Sequence, residues 1–282
     1  SDMTMTIEQS ADSTFSGSIA GAGGFVKSNS GTLTLSGAEN SLNLQDEVVI
    51  EDGVLAIDGA GILAATSNIV VRKDADAETE GTLHLVNGDQ DIQGLAGEGL
   101  INLGDGNDFN VENGGEFTGR VVGRGRFNVE GGDFQISSSI TSDEGSFTVN
   151  SGAGTTTTVA AGAQLAFPLL MVEAGSTIHL GGTDDNNSLL DARETMISGR
   201  MTGNGTVNGL TQVSSTGLLA PGNSPGVITF DNLELLAGSS TLLEVGLDGS
   251  EPGINHDQII ANSLSIDNGA VLGIENLLEP ES

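Results

Sequence analysis

The chain of 282 residues contains no cysteine, no tryptophan and no tyrosine. Without cysteine there are no disulfides, so the fold must stand on burial and hydrogen bonding alone; a cysteine-free chain folds in either redox compartment. Proline occurs 5 times against 43 glycines that follow no three-residue period. That excludes collagen and argues against a proline-rich linker. Positive charge is scarce as well: 8 Lys plus Arg face 39 Asp plus Glu, for a net charge of −31. Such a surface repels nucleic-acid phosphates and anionic membranes, which removes both from the expected partners. It keeps the chain soluble, attracts divalent cations and suits a saline exterior, where salt screens its self-repulsion. No long hydrophobic run is present either. The longest, residues 165–172, is broken by Pro168, so direct membrane insertion is not expected. The opening Ser-Asp-Met-Thr-Met-Thr lacks the basic and apolar regions of a signal peptide, so an exported form is expected to have lost its signal or to carry it outside this sequence.

What the chain does contain is short alternating segments. Residues 32–35, 54–57, 69–71, 82–86, 127–129, 147–149, 177–180, 227–230, 242–245 and 264–266 each combine β-branched or large apolar side chains and are fenced by Gly, Asn, Asp or Ser. Helical periodicity is missing between them. Strands joined by tight turns are the expected local structure throughout.

A repeat runs through this pattern. Phe15, Gly17, Ile19, Gly21, Gly23 and Phe25 return as Phe117, Gly119, Val121, Gly123, Gly125 and Phe127, and again as Ile197, Gly199, Met201, Gly203, Gly205 and Val207. A copy one residue shorter starts at Ile92 and passes through Gly94, Gly97 and Gly99. In the full copies the apolar anchors and the glycines share one parity, so an extended chain places them together, opposite Ser, Thr, Asn and Arg. Glycine there permits tight corners and close backbone approach. An imperfect repeat built of short strands predicts an all-β solenoid whose coils stack, at roughly 20 residues per coil. A β-sandwich, the competing fold, gives no reason for the repeated glycine motif. Residues 1–220 read as the repeat region, and 221–282 as a C-terminal β segment that continues or caps it.

Two stretches carry a family resemblance. Residues 15–37, FSGSIAGAGGFVKSNSGTLTLSG, are similar to the passenger-associated strand repeat of bacterial autotransporters. Residues 219–245, LAPGNSPGVITFDNLELLAGSSTLLEV, followed by His256-Asp-Gln-Ile-Ile and residues 264–274, resemble the C-terminal passenger segment that precedes the translocating barrel. The resemblance implies a right-handed parallel β-helix, export through the outer membrane, and a role in adhesion, aggregation or surface display. The family's passengers cross the membrane unfolded, which the lack of cysteine fits. The 282 residues are not expected to include a translocating barrel, since one needs many more alternating strands with aromatic girdles. Either the sequence stops short of it, or the chain is a stand-alone secreted protein built on the same coil.

Candidate chemistry is thin. Gly222-Asn-Ser224-Pro-Gly226 matches the nucleophile-elbow pattern, yet Pro225 has no N–H to offer an oxyanion, so a turn is the better reading. Asp184-Asp185 is the adjacent carboxylate pair of an Asp/Asn-rich loop, the kind of pair a polysaccharide lyase or hydrolase uses. The basic signatures of those enzymes are absent, Arg72-Lys73-Asp74 does not supply them, and the nine Phe offer no Trp or Tyr sugar platform. His84, His179 and His256 have no metal-ligand spacing; the first two are expected to face outward from strands. Gly104-Asp105-Gly106-Asn107-Asp108 resembles one copy of the calcium repeat of secreted toxins, which makes Asp105 and Asp108 candidate Ca²⁺ ligands. Arg120, Arg124 and Arg126 gather three of the eight cations on one expected outward face. They form a candidate patch for an anionic glycan or an acidic neighbour, or else pair with carboxylates such as Glu98, Glu116 or Glu130.

The expected function is therefore that of an extracellular structural or adhesive protein at the bacterial cell surface, associated with the outer membrane: a β-helical rod for display, adhesion or self-assembly into fibres. No catalytic residue is assigned and no cofactor is required, with Ca²⁺ as the one candidate ligand. The expected partners are a second copy, end to end, or other surface and matrix components. A polysaccharide-active enzyme on the same fold is the alternative.

Overall fold

The computed structural model describes residues 3–44, 46–73, 80–183, 186–222, 225–246 and 250–276. All regular structure in them is β, and the strands pair in parallel as the stacked coils of a β-solenoid, as the sequence predicts. The chain divides into two compact units, 1–147 and 148–282.

In the first unit the coils contribute short strands to three faces, and the coil of Glu47–Ile50 and Val54–Asp58 has no strand on the third. The first face stacks Met5–Glu8, Phe25–Ser28, Glu47–Ile50, Asn68–Val71, Gly94–Gly97 and Gly115–Phe117 in turn. The second runs from Ser13–Phe15 through Thr32–Leu35, Val54–Asp58, Thr82–Asn87 and Leu100–Asn102 to Arg120–Val122. The third pairs Ile19–Gly21 with Leu42–Leu44, and farther along stacks Gln90–Ile92, Asp108–Val111 and Arg126–Val129. Alternate residues turn inward, and register aligns like with like: Phe109 with Phe127, Val111 with Val129. Phe127 is the hub of the core. Its ring meets Phe109 edge-on at 5.7 Å, Phe134 edge-on at 5.8 Å, and stacks on Phe147 at 5.2 Å.

In the second unit the first face holds Thr156–Ala160, Thr177–Gly181, the opening of Arg200–Val213, Leu218–Pro221, Ser240–Val245 and Val271–Asn276. The other two faces merge into long strands, Leu189–Ile197, Arg200–Val213, Val227–Leu235 and Gln258–Ile266; the register shifts once between the first two and once between the second and third, and is constant between the last two.

The glycine motif is a corner–strand–corner unit, and it is not tied to one face. In the copy at 117–127 its central strand, Arg120–Val122, lies on the second face; in the copy at 15–25 it is Ile19–Gly21 on the third. In the copy at 197–207 it opens the first-face part of Arg200–Val213. Glycine is needed because coils touch at the corners: a Cβ on Gly119 would press on the Gly99 carbonyl, and one on Gly199 on the carbonyls of Glu173 and Ser176. Gly123 and Gly203 occupy the same motif position with φ of 98° and 96°, where an L side chain is strained.

Polar side chains also enter the interior, among them Gln90, Thr157 and Thr211, and one inward strand position carries a charge. Lys27 pairs in register with Ile7 on one side and Ile50 on the other, and it is wholly buried. Its ammonium donates to the carbonyls of Ser28 at 3.0 Å, Asn29 at 2.6 Å and Asp52 at 3.2 Å. Burial lowers its pKa and the Asp52 charge raises it, with burial the larger influence.

Candidate functional site

The outer polar side chains are built one coil at a time, and most find partners one coil away. Asn128 donates to Asn110 at 2.8 Å, and Asn110 donates to Asp91 at 2.7 Å, forming a ladder across three coils. Asn87 bonds Asp58 at 2.7 Å in the same way. In the second unit Gln212 donates to Glu234 at 2.7 Å and Asn262 to Asp231 at 3.2 Å.

The three arginines also pair between coils, Arg124 and Arg126 one coil away and Arg120 two, and they turn a corner rather than sharing a flat face. Arg120 opens a second-face strand, Arg126 a third-face strand, and Arg124 sits in the turn between them. Their partners are Glu80 at 3.3 Å, Asp108 at 2.5 and 2.6 Å, and Glu144 at 3.0 and 3.1 Å, respectively. These are not the Glu98, Glu116 or Glu130 expected from sequence proximity. Register decides the pairing: Arg126 lies directly against Asp108 in the ladder. The hydrogen bonds and charge of Asp108 hold the Arg126 pKa above its ordinary value, and Glu144 does the same for Arg124.

The calcium-like turn is organised by its asparagine. Asn107 is buried, donates to the Leu85 and Leu103 carbonyls at 2.8 Å each, and accepts from the Gly88 N–H at 2.9 Å. Asp105 is exposed in the turn, while both carboxylate oxygens of Asp108 are held by Arg126. A cation drawn to Asp105 and Asp108 would have to displace that guanidinium. Among the described residues no group of three or more His, Asp or Glu is arranged to hold a metal ion.

His84 and His179 face outward from their strands and are half-buried, as their setting between apolar residues predicts. Burial lowers the pKa of both, and Thr202 lies 2.9 Å from the His179 ring. Asp184, Asp185 and Ser224 lie outside the described residues.

One feature went unread in the sequence. An open cleft of about 420 Å³ in the first unit is lined by Val70, Arg72, Lys73, Ala96, Gly97, Glu98, Glu116 and Thr118. Val70, Ala96 and Glu116 are register partners on three successive first-face strands, so only the coil stacking brings them together. Arg72 is paired with Glu51 at 3.3 Å, and Glu116 accepts a short hydrogen bond from Ser137. The cleft combines two cations, two carboxylates and a small apolar floor, which suits a polar ligand rather than a greasy one.

In the second unit the buried Asp257 fastens a corner. Its oxygens accept the backbone N–H of Gly226 and of Glu244, each at 2.7 Å. Burial pushes its pKa up and the Glu244 charge adds to this, while the two N–H bonds and His256 pull it down; the net direction is upward from 3.8. A carboxyl whose folded pKa is raised binds its proton more tightly in the folded chain. Its contribution to stability is therefore full below its ordinary value and is lost as pH rises through the raised value. Wild type is expected to gain melting temperature relative to Asp257→Asn as pH falls from 7 to 4, and a difference that shrinks on acidification would contradict this. His84 and His179, with lowered pKa values, act oppositely, and being common to both proteins they cancel from the comparison.

The chain matches no family model, no curated protein and no solved structure.

Proposed function

We propose that the protein is an extracellular structural or adhesive element of a bacterial surface, in which the solenoid presents an acidic outer face for display or attachment to surface and matrix components. The observation that carries this reading is the fate of the outer polar side chains: Asp91, Asn110 and Asn128, Asp108 with Arg126, and Glu144 with Arg124 hold one another coil to coil. Such ladders reinforce stacking and leave those groups without a free hand for chemistry. The net charge of −31 and the absence of cysteine are consistent with an exposed, exported location. The resemblance of residues 15–37 and 219–245 to autotransporter passengers adds support for a surface role, and calcium enters this reading only as a counter-ion to the acidic flanks.

The cleft at Arg72, Lys73, Glu98 and Glu116 favours a second reading, a polysaccharide-active enzyme. Incubation with uronate polymers, followed by ultraviolet absorbance for unsaturated ends and by reducing-end release, separates the two. No turnover is expected, together with retention of chain-coated beads on a glycan or matrix surface. Turnover that disappears in Glu116→Gln would replace the structural role with catalysis.

A further inference from the structure

We propose that Met171 and Met196, on the outer surface of the second unit, form a thioether site for a soft monovalent cation of the Cu(I) type. Met171 lies in Leu169–Val172 and Met196 in Leu189–Ile197, and the two are direct register partners on adjacent parallel strands. Their chain neighbours Leu170, Val172, Thr195 and Ile197 are all buried, so strand alternation turns both methionines outward. Met196 is 39% exposed and Met171 half-buried. The rest of this outer column is polar: it continues through Gln212 and Glu234 to Ser265, and Gln212 and Glu234 hold each other at 2.7 Å. The pair accounts for two of the chain's five methionines. Met201 is wholly buried, and Met3 and Met5 lie at the start of the first unit.

Two thioethers suit such an ion both in chemistry and in distance. Soft sulfur donors select Cu(I), whereas hard cations prefer carboxylate and carbonyl oxygen. Neighbouring strands lie about 4.8 Å apart, and two metal–sulfur bonds of roughly 2.3 Å laid end to end span nearly the same length. Methionines in register can therefore grip one ion from opposite sides, in a linear arrangement to which their unbranched side chains adjust. The chain has no cysteine to compete with them, and its net charge of −31 concentrates cations at its surface. Glu194 also faces outward, two positions before Met196 on the same strand. Its carboxylate attracts any cation, so it is the group from which a test must separate the thioethers.

The site goes beyond the structural role and fails separately from it. The test is a titration of the whole chain, isotope-labelled at its methionine methyls, with silver nitrate in chloride-free buffer, Ag(I) being an air-stable probe of the same class. The Met171 and Met196 methyl resonances are expected to shift together and to saturate at one ion per chain, with Met201 unmoved. Met196→Leu should weaken the silver response of Met171 more than about tenfold, with unchanged far-UV circular dichroism because the swap keeps apolar volume at a partly exposed position. Shifts of the two methyls at separate silver concentrations overturn the shared site, as does a Met171 response undiminished by Met196→Leu. Silver that moves only the Met3 and Met5 methyls overturns it too. Zn²⁺ in place of Ag(I) is expected to leave both methyls unmoved; an equal response to Zn²⁺ would assign the cation to Glu194 and overturn the thioether pair. The display role stands under every one of these results.

Discussion

Replacing Phe127 by alanine is expected to cost the first unit about 3–5 kcal/mol, the range for truncating a fully buried aromatic side chain. The ring is wholly buried and touches three others, at 5.2, 5.7 and 5.8 Å, so its removal takes away hydrophobic burial and three aromatic contacts at once. The neighbours cannot collapse into the space, because Phe109 and Phe147 are fixed by the backbone ladder of their own strands. At this chain length the loss corresponds to a fall in melting temperature on the order of 10 °C. Phe15 supplies the control. It occupies an anchor position of the same glycine motif but is 40% exposed in the first coil, so Phe15→Ala should cost under about 1 kcal/mol. Thermal and urea melts followed by circular dichroism would check both. Equal losses from the two variants would mean that the core is not organised around Phe127.

The contrast between the two phenylalanines shows what a linear reading of this chain can reach. Alternation and glycine spacing identify strand, corner and inward parity, because those are properties of a few neighbouring residues. The anchors Phe117, Val121, Phe127, Ile197, Met201 and Val207 are accordingly all buried. The match of one coil to the next is a different matter, since coil length varies. Arg126 meets a carboxylate 18 residues back, Arg124 one 20 residues ahead, and Arg120 one 40 residues back. A repeat of roughly 20 residues accommodates the spacings of 20 and 40 but not the 18 of Arg126, and it does not say which carboxylate within reach is taken, so Glu98, Glu116 and Glu130 are passed over. The same variation hid the cleft, whose Val70, Ala96 and Glu116 become neighbours only through register. The turn of Asp108 has the composition of a cation site, while its guanidinium partner, Arg126, lies in the next coil and is invisible to a local motif.

Lys27 was the hardest residue to place. Parity puts it inside with Phe25, while its charge argues for the surface, and here parity wins because three carbonyls at the coil corner receive the ammonium. Asn29 contributes to this by adopting a left-handed conformation, φ 64°, that turns its carbonyl region through the corner. The chain has two lysines, and they make a natural pair for measurement. Lys27→Met keeps most of the volume but removes the donor from three carbonyls, one of them on the adjoining coil. A cost of about 3 kcal/mol is expected, the scale of losing buried hydrogen bonds from a charged group. Lys73→Met, at an exposed position, should stay within about 0.5 kcal/mol of wild type. Hydrogen exchange should add a spatial signature: faster exchange at residues 28–31 and 52–54 in the Lys27 variant, with the strands around Phe127 unchanged. Equal stability of the two variants would show that apolar replacement satisfies the corner as well as the ammonium does, and that Ser28, Asn29 and Asp52 reach solvent instead.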